Sequence, residues 1–164
     1  MKPLFSLSLL LAGLAAPLHA ETPPEFIETL RARCAGVEGG VFTAPEEAVS
    51  SIADFNGDGI TDPIIEEARF GCSTSATLFS GGSGGGGVQV FVSRPGGYDR
   101  FEFLAQGTMV VAPPGPPDRP VLLLSVHSGQ CDVVAESCQA AYIWSETGRF
   151  VSIGGAVGPQ KQTP

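Results

Sequence analysis

From Val41 to Ile153 the chain never keeps an apolar stretch going long enough for a multi-turn helix. Nine apolar-rich runs (Val49–Phe55, Pro63–Phe70, Thr77–Ser80, Val88–Arg94, Tyr98–Gln106, Thr108–Ala112, Val121–His127, Ala140–Ser145 and Arg149–Ile153) are each cut off by glycine, proline or a Glu-Thr-Gly turn. Val88, Val90 and Val92 alternate with Gln89, Phe91 and Ser93, and Phe101, Phe103 and Ala105 with Glu102 and Leu104. A period of two predicts antiparallel strands, with Arg94-Pro95-Gly96-Gly97-Tyr98 as the hairpin between these two. The continuously apolar Val121-Leu122-Leu123-Leu124 predicts a central strand. Trp144, at the end of Tyr142-Ile143-Trp144, reads as core or edge packing.

One helix precedes this region. Thr22 is a suitable N-cap, Pro23 and Pro24 are tolerated in the first turn, and Glu25 favours the positive end of the helix dipole. Phe26, Leu30 and Cys34 follow at four-residue steps and share one face, and the helix is expected to end near Gly36. The fold class expected is mainly β, a compact antiparallel sandwich or barrel-like sheet with one short N-terminal helix. Residues 21–164 form a single domain, with 151–164 as a frayed tail.

The most specific motif is Asp54-Phe55-Asn56-Gly57-Asp58-Gly59-Ile60-Thr61-Asp62. Oxygen-bearing side chains fall at its first, third, fifth and ninth positions, and Gly59 stands sixth, where a sharp turn is cheapest without a Cβ. Calcium takes six to eight oxygens at roughly 2.3–2.6 Å, from carboxylates, amides, backbone carbonyls and water. The metal ligands expected are Asp54, Asn56, Asp58 and Asp62 through their side chains. Ile60 would contribute its backbone carbonyl, leaving its aliphatic side chain for the core. Without a cation, carboxylates ~5 Å apart repel by about 3 kcal/mol per pair at an effective dielectric of 20, so an empty loop is expected to be splayed and mobile. The bland alternative is an Asx-rich surface turn, since Asn-Gly and Asp-Gly are favoured turn dipeptides.

A helix-loop-helix calcium hand needs a bidentate glutamate at the twelfth position, where this chain has Ile65, with Glu66 one place late. The following segment reads as a strand. A loop of this pattern between two strands resembles the calcium loop of FG-GAP or VCBS repeats, a match that spans Ile52 to Ile65. A propeller would repeat the signature in each of at least four blades, and here it occurs once. From Cys34 to Phe150 the chain is also similar to small exported proteins of unknown function from alphaproteobacteria. Shared features are the Cys-Ala-Gly-Val start, the acidic loop, a glycine-rich hairpin into Val-Phe-Val-Ser, and Leu-Leu-Leu-x-x-His before a cysteine pair. Such proteins often carry a cysteine at each end of that hairpin, where this chain has Ser80 and Gly87. The resemblance therefore implies an uncross-linked, looser hairpin, and it supplies no activity.

Met1 to Ala20 has a single charge at Lys2, an apolar run from Leu4 to Leu14 and small residues near Ala20, the layout of a secretory signal that is too short to span a bilayer. The expected localisation is periplasmic or secreted, with no membrane anchor after cleavage. Removing Lys2 takes the formal charge from −8 to −9, and no basic cluster offsets it, so nucleic acid is not expected as a partner. In an exported chain the four cysteines, Cys34, Cys72, Cys131 and Cys138, are expected to pair. Of three connectivities the favoured one closes Cys131–Cys138 across one loop and lets Cys34–Cys72 tie the helix to the strand after the acidic loop. Zinc would want tight Cys-x-x-Cys pairs, which are absent from the sequence.

Other readings are weaker. Ser80 to Gly87 lacks the lysine and following helix of a phosphate cradle and reads as a flexible hairpin or loop tip. Pro113-Pro114-Gly115-Pro116-Pro117 reads as a stiff connector. His127 with Ser125, Ser128 and Asp132 suggests a hydrolase on paper, without a nucleophile elbow. Glu66 and Glu67, as neighbours on a strand, would point to opposite faces and make a poor acid/base pair. The function expected is therefore an exported, non-catalytic domain with one structural calcium ion and a possible protein or glycan partner in the envelope. The alternatives are an inhibitor or binding protein for an envelope hydrolase and, less favoured, a hydrolase centred on His127.

Overall fold

A computed structural model describes residues 21–111, 119–127 and 137–153. The expected signal segment, Ser128, Cys131, Asp132 and the proline-rich connector lie outside them. The described chain is a mainly β, antiparallel sandwich with a single α-helix, as the alternation of apolar residues predicts.

The helix α1 (Pro23–Ala35) starts where Glu25 accepts both the backbone N–H and the hydroxyl of Thr22, each at 2.8 Å. It buries Phe26, Leu30 and Cys34, the face expected from the four-residue spacing. After the short β1 (Phe42–Thr43), the first sheet is built from β2 (Val49–Ala53), β3 (Asp62–Glu66), β5 (Gly86–Arg94) and β6 (Gly97–Ala105), in that spatial order. Between β3 and β5, β4 (Gly71–Cys72) pairs with β1 as a separate ribbon. The second sheet holds β7 (Gly107–Val111), β8 (Val121–His127), β9 (Ser137–Trp144) and β10 (Phe150–Ser152), in the order β10-β9-β8-β7. Gln106 is the corner between sheets, its N–H donating to the Ser125 carbonyl at 2.6 Å.

The core has two parts because the first sheet is covered on both faces. Ile64, Val88, Val90 and Val92 face Leu122, Leu124, Val126 and Ala140 of the second sheet. Phe101, Phe103, Trp144 and Phe150 pack against that cluster, Trp144 lying edge-on to Phe101 at 5.2 Å and to Phe150 at 5.1 Å. This is the packing role expected of Trp144. On the opposite face Ile65, Phe91, Phe70 and Phe79 receive Phe26 and Leu30 of α1. Cys34–Cys72 fastens helix to ribbon, as the favoured connectivity expects, across a separation of 38 residues. A crosslink of that span stabilises by about 4 kcal/mol in the chain-entropy account. Cys138 is also disulfide-bonded.

Several expectations need correction. Thr77–Phe79 is turn rather than strand, and only Ser80 touches the ladder, through a bridge to Gly86. The run Pro63–Phe70 is strand only to Glu66; Glu67–Arg69 turns as a 3₁₀ segment, which lets the Glu67 carboxylate accept from Gln89 Nε2 at 2.7 Å. Strand β8 is an inner strand as expected, but only Leu122, Leu124 and Val126 are buried, because its other face is not covered by a further layer of the described residues. Val151 and Ser152, assigned to a frayed tail, pair with Ile143 and Tyr142. The glycine tract is no loose tip over its last three residues. A Cβ on Gly86 would stand 2.7 Å from the Ala68 side chain and 2.8 Å from the Phe79 carbonyl, so glycine here permits close approach.

Candidate functional site

The acidic loop joins β2 to β3 at one edge of the first sheet, and its second residue anchors it. Phe55 is fully buried between the sheets, its ring edge-on to Phe150 at 5.1 Å. With that ring fixed, the residues on either side are brought back toward the strand ends.

The loop closes on its own amides. Asp54 Oδ1 accepts from the backbone N–H of Gly57 at 2.7 Å and of Asp58 at 3.2 Å, and Oδ2 from that of Gly59 at 2.8 Å. Asn56 Oδ1 accepts from Asp58 N–H at 3.0 Å, and Asp58 Oδ1 from Ile60 N–H at 2.8 Å. Gly57 and Gly59 make this wrapping possible with φ of 79° and 86°, the left-handed region that costs other residues most. These amide donors offset part of the mutual repulsion of the carboxylates.

Asp62 and Ser93 connect the loop to the sheet. Asp62 has no exposed surface; its Oδ2 accepts from Phe55 N–H and its Oδ1 from Ser93 N–H, both at 2.8 Å. The Ser93 hydroxyl donates to Asp58 Oδ2 at 2.8 Å, and the Ser93 carbonyl accepts from Asn56 Nδ2 at 2.7 Å. Burial pushes the Asp62 carboxyl above its ordinary pKa; the amides of Ser93 and Phe55 and the Ser93 side chain pull against that, while the nearby Asp54 charge adds to it. Asp58 moves the other way, held low chiefly by the Ser93 hydroxyl and then by the Ile60 amide.

The donor chemistry fits a hard divalent cation: carboxylates, an amide oxygen and backbone carbonyls on one short turn. A carboxylate offers about four lone-pair positions, so the hydrogen bonds at Asp54, Asp58 and Asp62 leave acceptor capacity. Among the described residues no three His, Cys, Asp or Glu side chains surround one point. Ile60 departs from expectation in one respect: its side chain is 54% exposed and takes no part in the core. The hairpin that follows β5 closes Asp62's partner from the other side, since Ser93 pairs with Tyr98 across the ladder.

Ser93 is the residue that sequence spacing misses. Its contacts reach 31 to 37 positions back along the chain, so no local pattern could reveal them. It is buried in β5 at 4% exposure, where a serine needs a partner, but that burial comes from the packing of the strand and is not readable in the sequence.

His127 ends β8 on the face opposite Leu122, Leu124 and Val126, and Ser125 shares that face by alternation. Ser128 and Asp132 lie outside the described residues. Beside the acidic loop, an open apolar groove of about 490 Å³ runs between the start of α1 and the first sheet. Pro23, Pro24, Ile27, Val49, Pro63 and Tyr98 line it. No helix among the described residues is long and apolar enough to cross a membrane. In comparisons with known proteins, the chain matches no family model, no curated protein and no solved structure.

Proposed function

We propose that the chain is an exported, non-catalytic β-sandwich domain that binds one calcium ion through Asp54, Asn56, Asp58, Ile60 and Asp62, and that the ion fastens the loop to the first sheet. The observation that carries this reading is the gathering of Asp54, Asn56 and Asp58 on one glycine-turned loop whose far end, Asp62, is rooted in the sheet. When bound, calcium would supply the positive charge that amide dipoles supply only in part. The protein's own contribution is to hold the oxygens: Phe55 anchors one end of the loop, and Ser93 holds Asn56, Asp58 and Asp62.

Extracellular calcium modules typically bind at 10⁻⁴–10⁻³ M. At a hundredfold excess over its dissociation constant the ion adds about 2.7 kcal/mol, which raises Tm by about 10 °C for a domain of this size. Thermal unfolding in calcium on the order of 10–100 mM, a hundredfold that dissociation constant, and in chelator is the test, with magnesium as the comparison cation. Identical melting in both would reject the calcium reading and leave a self-capped turn. A second role, as a binding or inhibitory protein for an envelope hydrolase or other protein or glycan partner, is favoured by the open groove beside Pro63. Retention of no specific partner from envelope extract by immobilised protein argues against it.

A further inference from the structure

An antiparallel sheet with one face in water ordinarily alternates apolar and polar residues. The second sheet does not. Its register sets Val111, Val121, Ile143 and Val151 side by side across all four strands. Met109, Leu123 and Ala141 form the adjoining row, which Ile153 continues by donating its N–H to the Ala141 carbonyl at 3.1 Å. Both rows lie on the outer face, by alternation with Leu122 and Leu124, and none of their residues belongs to either core cluster. At the two edges of the sheet Met109 and Ile153 are 49% and 48% exposed, whereas the small Ala141 between them is 9% exposed.

The chemistry of this face restricts what covers it. The chain carries a formal charge of −8, yet these two rows and the next one, Gly107, Ser125 and Gln139, hold no acid and no Lys or Arg. A charged partner finds no counter-charge here, and an anionic membrane finds neither the basic residues nor the Trp and Tyr that fix a protein at a lipid surface. Two copies of an acidic chain, by contrast, meet on an uncharged face without opposing like charges. We propose that the outer face of the second sheet is a self-association surface on which two copies pack face to face. A two-fold axis in the contact plane, parallel to the strands, lays β8 of one copy over β9 of the other, with Leu123 against Ala141 and Met109 against Ile153. Four strands about 4.8 Å apart and five residues at about 3.4 Å give a footprint of roughly 300 Å², small for a specific pair, so the dimer is weak and forms as concentration rises.

The test is sedimentation of the purified protein from about 10 μM to about 1 mM, in chelator so that the result is independent of the calcium reading. The wild-type chain is expected to pass from monomer to dimer across that range. Met109→Glu and Ile153→Glu change half-exposed residues on opposite edges of the face, and each brings its carboxylate into the contact twice by symmetry, so both should stay monomeric throughout. Leu104→Glu, 53% exposed on β6 of the first sheet, should dimerise as the wild type does. Each variant is melted at the lowest concentration, and if one edge variant has lost its fold the other decides. A wild-type chain that stays monomeric at about 1 mM overturns the proposal, whether the chain's own remaining residues, a different protein or nothing covers the face. A dimer that survives both edge substitutions lies elsewhere on the molecule and overturns it too.

Discussion

Asp62 is where an acid that the spacing marks as a ligand proves to be a buried structural anchor as well. Its oxygens take the N–H groups of Phe55 and Ser93, two donors with no route to water once the aromatic core closes over them. Replacing it with alanine leaves both donors unpaired, and a buried unsatisfied donor costs about 1–3 kcal/mol. Asp62→Ala is therefore expected to lose about 3 kcal/mol or more in chelator, where no calcium contribution exists, as read by urea unfolding. Asp54→Ala, at a partly exposed position, is expected to cost less. Equal losses would show that burial does not distinguish the two. The sequence made the identities and order of these residues legible. It could not reveal that the ninth position is buried and the seventh exposed, because that depends on which way the loop folds over Phe55.

Strand β5 shows the same division at the scale of an element. Alternation along Val88–Arg94 correctly predicts an antiparallel strand and its hairpin to β6. That both faces of this strand are buried follows only from α1 covering one side and β8 the other. The glycines before and at its start were legible as lacking side chains, but not as to why. A glycine run serves flexibility or close approach equally well in a sequence, and here Gly86 sits against Ala68 and Phe79. Gly86→Ala is expected to destabilise by about 2 kcal/mol through overpacking, while Gly84→Ala, which meets nothing within 4 Å, should change stability by no more than about 0.5 kcal/mol. Thermal melts of the two variants check this, and similar effects for both would contradict the packing account.

For the whole molecule, the Cys34–Cys72 bridge ties the helix layer to the ribbon beside the sandwich. Removing it as Cys34→Ala with Cys72→Ala should cost about 4 kcal/mol in guanidinium unfolding. An unchanged midpoint would mean that helix packing on Ile65 and Phe91 suffices without the crosslink. The sequence by itself determined the β character, the place and face of the helix and the order of oxygens in the acidic loop, and it left three ways to pair four cysteines, of which the structure shows the favoured Cys34–Cys72 bridge. Each of the first three is a local periodicity or short-range pattern, whereas the pairing depends on which segments meet. Only the tertiary structure decided which strand is covered on both sides, which glycines are closely packed, and that Ser93 holds three loop residues. These depend on contacts between segments tens of residues apart, and a side chain's surroundings are fixed only when those segments meet.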